Sequence, residues 1–174
     1  MEAKVREGHA PAVVVSLEAG ERLVSEAGAM MFISGDVSMD VEMPGGLMGG
    51  LKRAVMSGES MFLATYTARG SGAVGLCGPF PGSIRQHELD GEIVCERHAY
   101  LAHFGDVSIE SAFAQRLGMG FMGGGEGLFL VHLTGPGHVT LQTLPFSRTA
   151  ERILEAAGGG SDEKGGLIGN IFGG

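Results

Sequence analysis

The sequence is poor in several residue types, and each scarcity narrows what the protein can be. Of its 174 residues none is tryptophan, two are tyrosine and two are cysteine. A chain of this length can bury a core without disulfide bonds, and two cysteines do not make a disulfide scaffold. Cys77 and Cys95 both lie in apolar stretches. This context favours two reduced, buried thiols in a cytoplasmic protein, with a disulfide as the alternative.

Charge is also scarce, and it is one-sided. Charged residues make up 18% of the chain, and 12 basic residues stand against 20 acidic ones, for a net charge of −8. Nucleic-acid binding depends largely on Lys and Arg side chains that neutralise phosphates. No nucleic-acid partner is therefore expected, and an anionic membrane is disfavoured for the same reason.

Long apolar runs are missing as well. No run approaches the roughly 18 residues that cross a bilayer, and the N-terminal stretch 1–7 lacks the apolar core of a signal peptide. These absences again predict a cytoplasmic protein. The Gly-rich tail 158–174 is expected to be flexible. Its apolar segment 167–172 leaves two alternatives open, a mobile terminus or a segment that docks on its own or a neighbouring subunit. Membrane association through the Gly- and Met-rich connectors and this tail is a further alternative that the charge does not support.

Two residue types are abundant instead. Glycine occurs 32 times and methionine 10 times. Most of the methionines, among them Met30 and Met31, cluster in or near Gly-rich connectors. Methionine fills irregular gaps and adaptable surfaces, so these side chains belong either to a self-association surface or to the core.

One six-residue stretch occurs twice. Gly-Asp-Val-Ser-Met-Asp begins at Gly35, and Gly-Asp-Val-Ser-Ile-Glu begins at Gly105, 70 residues later. Matches extend in both directions, and Gly58-Glu59 returns as Gly125-Glu126. A repeat of this length indicates a duplicated unit that buries one face against its twin.

The alternation of apolar and polar residues predicts strands throughout both copies. We therefore expect an all-β fold, a β-sandwich or barrel-like structure built from two units of about 70 residues with short Gly-rich connectors. The units cover residues 8–79 and 80–145 of a single domain over 1–157. Glycine clusters at 69–72 and 135–137 predict hairpin turns.

Two helices are predicted outside the strands. Ser147 is a suitable N-cap, and an apolar stripe follows it, which predicts a helix over 147–157. Ile109, Phe113 and Leu117 recur every four residues and predict a short helix in the second connector.

Candidate sites are weak. The densest group of potential metal ligands is His87, Cys95, His98 and His103, in which only Cys95 and His98 have zinc-compatible spacing. The G-x-G-x-x-G at 118–123 does not lie between a strand and a helix, as a dinucleotide site requires. No cofactor and no catalytic residue is predicted.

Repeated carboxylates form the last candidate set. Asp36 with Asp106, and Glu59 with Glu126, could serve as an acid and a base if the duplication brings them together. Each follows a glycine, however, and a polar residue beside glycine is typical of a turn. We expect structural turns at Gly35, Asp36, Gly58, Glu59, Gly105, Asp106, Gly125 and Glu126.

A set of segments together resembles a known family. The segments are Gly20-Glu21, 25–30, 45–53, 57–62, 99–102, 124–128, 134–137 and 141–143. They resemble the altered-inheritance-of-mitochondria proteins and their bacterial relatives, over about residues 10–145. The resemblance implies a fold similar to that of the tryptophan-RNA-binding attenuation protein, a β-sandwich that assembles into rings. It implies no catalytic residues, because the family has no agreed ones.

Longer members of that family have three such units, and this chain has two. Two units leave a sheet edge open, and open edges must be paired or covered. The expected function is therefore a non-enzymatic, homo-oligomeric scaffold or binding module. The alternative is a β-sandwich that binds a small molecule or a metal, with or without enzymatic activity, through His87, Cys95, His98 and His103.

Overall fold

A computed structural model describes residues 1–8, 11–42, 62–78, 82–113 and 129–144, together with 149–150, 152–153 and 156–157. In these ranges the strands form one sheet that curls into a half-barrel. The strands are β1 (Glu2–Arg6), β2 (Ala12–Leu17), β3 (Arg22–Glu26), β4 (Met30–Glu42), β5 (Leu63–Cys77), β6 (Ile84–Glu96), β7 (Tyr100–Gly105), β8 (Ser108–Phe113) and β9 (Phe129–Gln142). The predicted all-β class is confirmed, and its architecture is this curled sheet.

Two long strands organise the sheet. β5 pairs with β4 on one side, and with β2 and β3 on the other. β9 pairs in the same way with β6 on one side, and with β7 and β8 on the other. β3 also pairs with β7, and this contact joins the two halves. All of these pairings are antiparallel.

The expected hairpin turns at 69–72 and 135–137 are absent, because β5 and β9 run through both positions without interruption. β5 is long because its two ends have different partners. Its N-terminal part pairs with β3 and its C-terminal part with β2. The glycines therefore lie where a continuous strand passes from one partner to the next, and not where the chain reverses.

The repeated glycines allow backbones to cross closely. Gly35 has φ +77°, and a Cβ there would lie 2.4 Å from the Ser71 carbonyl oxygen and 2.6 Å from Gly72 Cα. Gly105 has φ +95°, and its Cβ would lie 2.8 Å from Gly137 Cα. Gly35 thus lies at a register shift within the continuous strand β4, and not in a turn between two strands. Gly105 is the last residue of β7.

The buried side chains form two apolar cores. The first is built mainly on β2, β3 and β5, and the second mainly on β9 with parts of β6 and β7. β3 serves both, because successive side chains of a strand point to opposite faces. Leu23 is fully buried in the first core, and Val24 packs against the second.

Two other predictions fall at the edges of the described ranges. Ile109 and Phe113 lie in strand β8, so the helix expected there is wrong over these residues. A spacing of four residues is also an even spacing, so the sequence pattern fits a strand as well as a helix. Residues 149–150, 152–153 and 156–157 have helical backbone, and the helix over 147–157 as a whole stays a prediction.

The remaining segments lie outside the described residues. They include most of both connectors, with Gly58, Glu59, Gly125 and Glu126, and the tail 158–174. In the ranges that are described, no helix is long and apolar enough to cross a bilayer.

Candidate functional site

A group of polar side chains lies around the place where β3 meets β7. We call Glu26, Cys95, Tyr100 and His103 the junction cluster. Glu26 and Cys95, which lies on β6, are half-buried. Tyr100 is 1% exposed and His103 is 4% exposed. The Tyr100 hydroxyl lies 2.8 Å from His103 Nδ1 and donates to the Val24 carbonyl oxygen at 3.3 Å. A phenol has one proton, so this donation requires His103 to donate from Nδ1 to the Tyr100 oxygen.

Burial keeps the thiol, the phenol and the imidazole of the junction cluster uncharged at neutral pH. Desolvation raises the pKa of the Cys95 thiol to about 12, with a further contribution from the charge of Glu96. Desolvation also raises the pKa of Tyr100 well above its usual value and lowers that of His103 to about 4. The pKa of Glu26 is raised by burial as well, against the attraction of His98 and Arg97.

These shifts decide what the cluster can do chemically. A catalytic thiol needs a lowered pKa, and a general base works best with a pKa near the working pH. At neutral pH the thiol, the phenol and the imidazole of the junction cluster are all in their neutral forms. The cluster is therefore equipped to hold β3 against β7 by hydrogen bonding, and it has no activated nucleophile.

The potential metal ligands are dispersed over the sheet. His87 is exposed and His103 is buried, and they flank Val139 from opposite sides of β9. The backbones of two strands that flank a third lie about 9–10 Å apart. His98 lies in a short 3-10 turn with its Nδ1 3.0 Å from Glu96 Oε1, and Cys95 lies opposite Val131.

Across the described ranges, no three His, Cys, Asp or Glu side chains are grouped so that they could hold a metal ion. The metal interpretation of Cys95, His98 and His103 therefore has no geometric support in this part of the chain.

The repeated aspartates are also apart. Asp36 is exposed beside Gly70 of β5, and Asp106 is exposed beside Gly135 of β9. Asp36 lies within β4 and Asp106 lies between β7 and β8, each directly after its positive-φ glycine. Their positions suit polar residues at a bend, and the proposed acid–base pair is not assembled from these two carboxylates.

A second feature lies on the outer edges of the sheet. Met30, Met31 and Phe32 at the start of β4 are 40%, 50% and 37% exposed, and Val94 on β6 is 39% exposed. We call these four side chains the edge patch. The methionine clustering had marked Met30 and Met31 as candidates for a self-association surface. Phe32 and Val94 had no sequence signal, because strand order decides which apolar residues remain uncovered.

The pKa of His103 makes a pH dependence testable. The folded pKa, about 4, lies below the unfolded value of 6.5, so the unfolded chain binds the additional proton. His103 therefore contributes up to about 3 kcal/mol of stability that is complete above pH 6.5 and is lost as the pH falls towards 4. Urea unfolding of the wild type and of His103→Leu across this range measures the difference in slope.

Glu26 acts with the opposite sign. Its raised pKa contributes stability that is present below the usual glutamate value of 4.5 and is lost as the pH rises through its folded pKa. The comparison between the two proteins removes this common contribution. Equal pH slopes for the wild type and His103→Leu would show that His103 is not desolvated as described.

The thiol of Cys95 is expected to react slowly. With a pKa of about 12, it has roughly a thousandth of the thiolate of an ordinary cysteine at the same pH. In a Cys77→Ser background, labelling by a thiol reagent should be at least about 100-fold slower in the native protein than in denaturant. Native labelling within a factor of a few of the denatured rate would contradict a buried, neutral thiol.

The curled sheet and its two apolar cores define an all-β protein. Residues 3–156 match the family described as mitochondrial biogenesis AIM24, and the chain belongs to that family. The resemblance drawn from the sequence is thereby confirmed. The further likeness to the tryptophan-RNA-binding attenuation protein stays a prediction.

Two bacterial proteins show the extent of the similarity. The uncharacterized protein M6_Spy0233 of Streptococcus pyogenes serotype M6 is 29% identical over 134 residues, covering 73% of this chain and 54% of that protein. The crystal structure of protein SPYM3_0169 from Streptococcus pyogenes has a TM-score of 0.64 at 24% identity, over 82% of this chain and 64% of that one. The second likeness supports the fold alone. The chain spans less than two thirds of the length of both proteins.

Proposed function

We propose that this chain is a non-enzymatic β-sheet module that self-associates and serves as an oligomeric scaffold or binding surface. One observation carries the proposal. The four side chains of the edge patch are large, apolar and exposed, and they lie on strands whose outer edges have no partner within the described residues. Exposed strand edges must be paired, covered or blunted by charge.

The neutral thiol, phenol and imidazole of the junction cluster support the non-enzymatic part of the proposal. Its thiol, phenol and imidazole are the side chains from which a catalytic site would be built here, and burial keeps all three unreactive at neutral pH. The cytoplasmic location predicted from the sequence belongs to the proposal as well. Both cysteines are free thiols, as a reducing compartment would keep them.

Sedimentation velocity at micromolar concentration tests the proposal. We expect an oligomer whose population rises with protein concentration, because the associating edges belong to separate copies of the chain. A single monomeric species throughout the micromolar range would overturn the self-associating function. Binding of a small molecule or a metal at one equivalent per chain would favour the alternative instead.

A further inference from the structure

The strands that flank β5 and those that flank β9 occupy equivalent places in the two halves of the sheet. Tyr66 of β5 pairs with Leu23 on one side and Met39 on the other. Leu133 of β9 pairs with Ile93 on one side and Ile109 on the other. Leu23 thus corresponds to Ile93, and Met39 corresponds to Ile109. Each pair is separated by 70 positions, as are the two copies of the Gly-Asp-Val-Ser repeat.

The short turns between strands follow the same displacement. A 3-10 turn at Ala27–Ala29 joins β3 to β4, and another at Arg97–Ala99 joins β6 to β7. β6 therefore takes the place of β3, and β4 takes the place of β7. This correspondence matters because β3 and β7 pair with each other within the chain.

The internal pairing provides a template. Its register is Leu23 with Phe104, Val24 with His103 and Ser25 with Ala102. The residues 70 positions after those of β3 are Ile93, Val94 and Cys95 on β6. The residues 70 positions before those of β7 are Ser34, Ile33 and Phe32 on β4. In the described ranges β6 pairs only with β9, and β4 only with β5, so this second junction is not made within the chain.

Side chains on β7, which pairs with β3, are buried, whereas their counterparts on β4 are exposed. At the internal junction Tyr100, Leu101 and Ala102 are each 1% exposed. Their counterparts Met30, Met31 and Phe32 are 37–50% exposed.

The other side of each junction shows the same contrast. Val24 packs against the second core, and its counterpart Val94 is 39% exposed. All four residues of the edge patch therefore stand where the template would bury them.

We propose that the β6 edge of one chain pairs antiparallel with the β4 edge of a second copy, in the register Ile93 with Ser34, Val94 with Ile33 and Cys95 with Phe32. The proposal deepens the self-associating function proposed above and rests on it. The two edges differ from each other, so the contact is head-to-tail. Repetition of such a contact gives a closed ring or an open filament.

A second copy is the favoured occupant because both halves of the contact are on this chain. Each free edge matches one strand of a junction that the same sequence already forms internally. Main-chain hydrogen bonds would extend the sheet, and the edge patch would lose its exposed apolar surface. Pairing of two identical β4 edges would leave β6 uncovered and would break the register taken from the internal junction.

Lysine substitutions test the edges. Val94→Lys and Phe32→Lys place a charge at the proposed contact, and charge is the usual means of blunting an edge strand. Leu144→Lys is the matched control, since Leu144 is 42% exposed and lies outside the edge patch. We expect both edge variants to weaken association by at least about tenfold in sedimentation velocity, and the control to associate like the wild type.

Cysteine pairs test the register. In a Cys77→Ser, Cys95→Ala background, an equimolar mixture of Ile33→Cys and Val94→Cys chains should give a disulfide-linked heterodimer on oxidation. A mixture of Ile33→Cys with Glu88→Cys, an exposed position elsewhere on β6, should not. Circular dichroism of every variant confirms that it is folded.

The outcomes distinguish the two proposals. A wild-type oligomer that neither lysine substitution weakens, or that gives only Ile33–Ile33 cross-links, would overturn the edge pairing and leave self-association standing. A monomeric wild type, together with no cross-link in the mixture of Ile33→Cys and Val94→Cys chains, would overturn both proposals.

Discussion

Gly35→Ala is expected to lower the free energy of unfolding by about 3 kcal/mol or more. Two costs combine at this position. The φ of +77° lies in the left-handed region, where a side chain is strained. The new Cβ would also lie 2.4 Å from the Ser71 carbonyl oxygen and 2.6 Å from Gly72 Cα, which are backbone atoms of β5. Relief of these contacts requires β4 and β5 to separate here, which weakens their pairing with each other.

Gly72→Ala separates the two costs, because Gly72 does not have a positive φ. Its Cβ would lie 2.5 Å from Val37 Cγ2 and 2.6 Å from the Ser34 carbonyl oxygen, so we expect a loss of about 1–3 kcal/mol from overpacking alone. Gly28→Ala is the control, since its nearest atom is Glu26 Oε1 at 3.8 Å. Urea unfolding should place the three variants in this order. A Gly35→Ala protein as stable as Gly28→Ala would contradict the close crossing.

The glycine clusters at 69–72 and 135–137 could not be interpreted from the sequence alone. Alternating apolar residues correctly predicted strands on both sides of 69–72 and of 135–137. A glycine cluster, however, suits a tight turn and a close approach of two backbones equally well. Only the partner strand decides between them, and that partner is distant in sequence. β5 and β9 were therefore predicted as hairpins and are continuous strands.

The first strand was missed for a different reason. In β1, Ala3 and Val5 alternate with charged residues and pack against the first core. The pattern is present in the sequence, but five residues at a charged terminus carry little periodic signal. Pairing with β2 gives this short segment its structure.

The candidate site likewise could be predicted only in part from the sequence. Tyr100 and His103 are visible in the sequence as polar residues in an apolar segment. Their hydrogen bond, their burial and the direction of their pKa shifts depend on β3, whose residues lie about 75 positions earlier. The edge patch likewise depends on which strands find partners. Local sequence therefore identified the residue types, and long-range pairing determined their roles.

Tyr100→Ala is expected to be among the most destabilising side-chain truncations, with a loss of about 3–5 kcal/mol. Tyr100 is one of the largest fully buried side chains, at 1% exposure, and it packs within the second core. Removal of the ring leaves a cavity where β3 meets β7. It also removes the hydroxyl that joins His103 Nδ1 to the Val24 carbonyl.

Tyr100→Phe separates the hydroxyl from the ring. This variant keeps the packing and leaves the His103 N–H and the Val24 carbonyl without the phenol, for an expected loss of about 1–3 kcal/mol. In the His103→Leu background one of those groups is already gone, so Tyr100→Phe should then cost measurably less. A double-mutant cycle from urea unfolding gives this difference as a coupling energy. A coupling near zero would mean that the Tyr100–His103 hydrogen bond does not hold the two halves of the sheet together. The junction would then depend on the backbone pairing of β3 with β7 and on apolar packing.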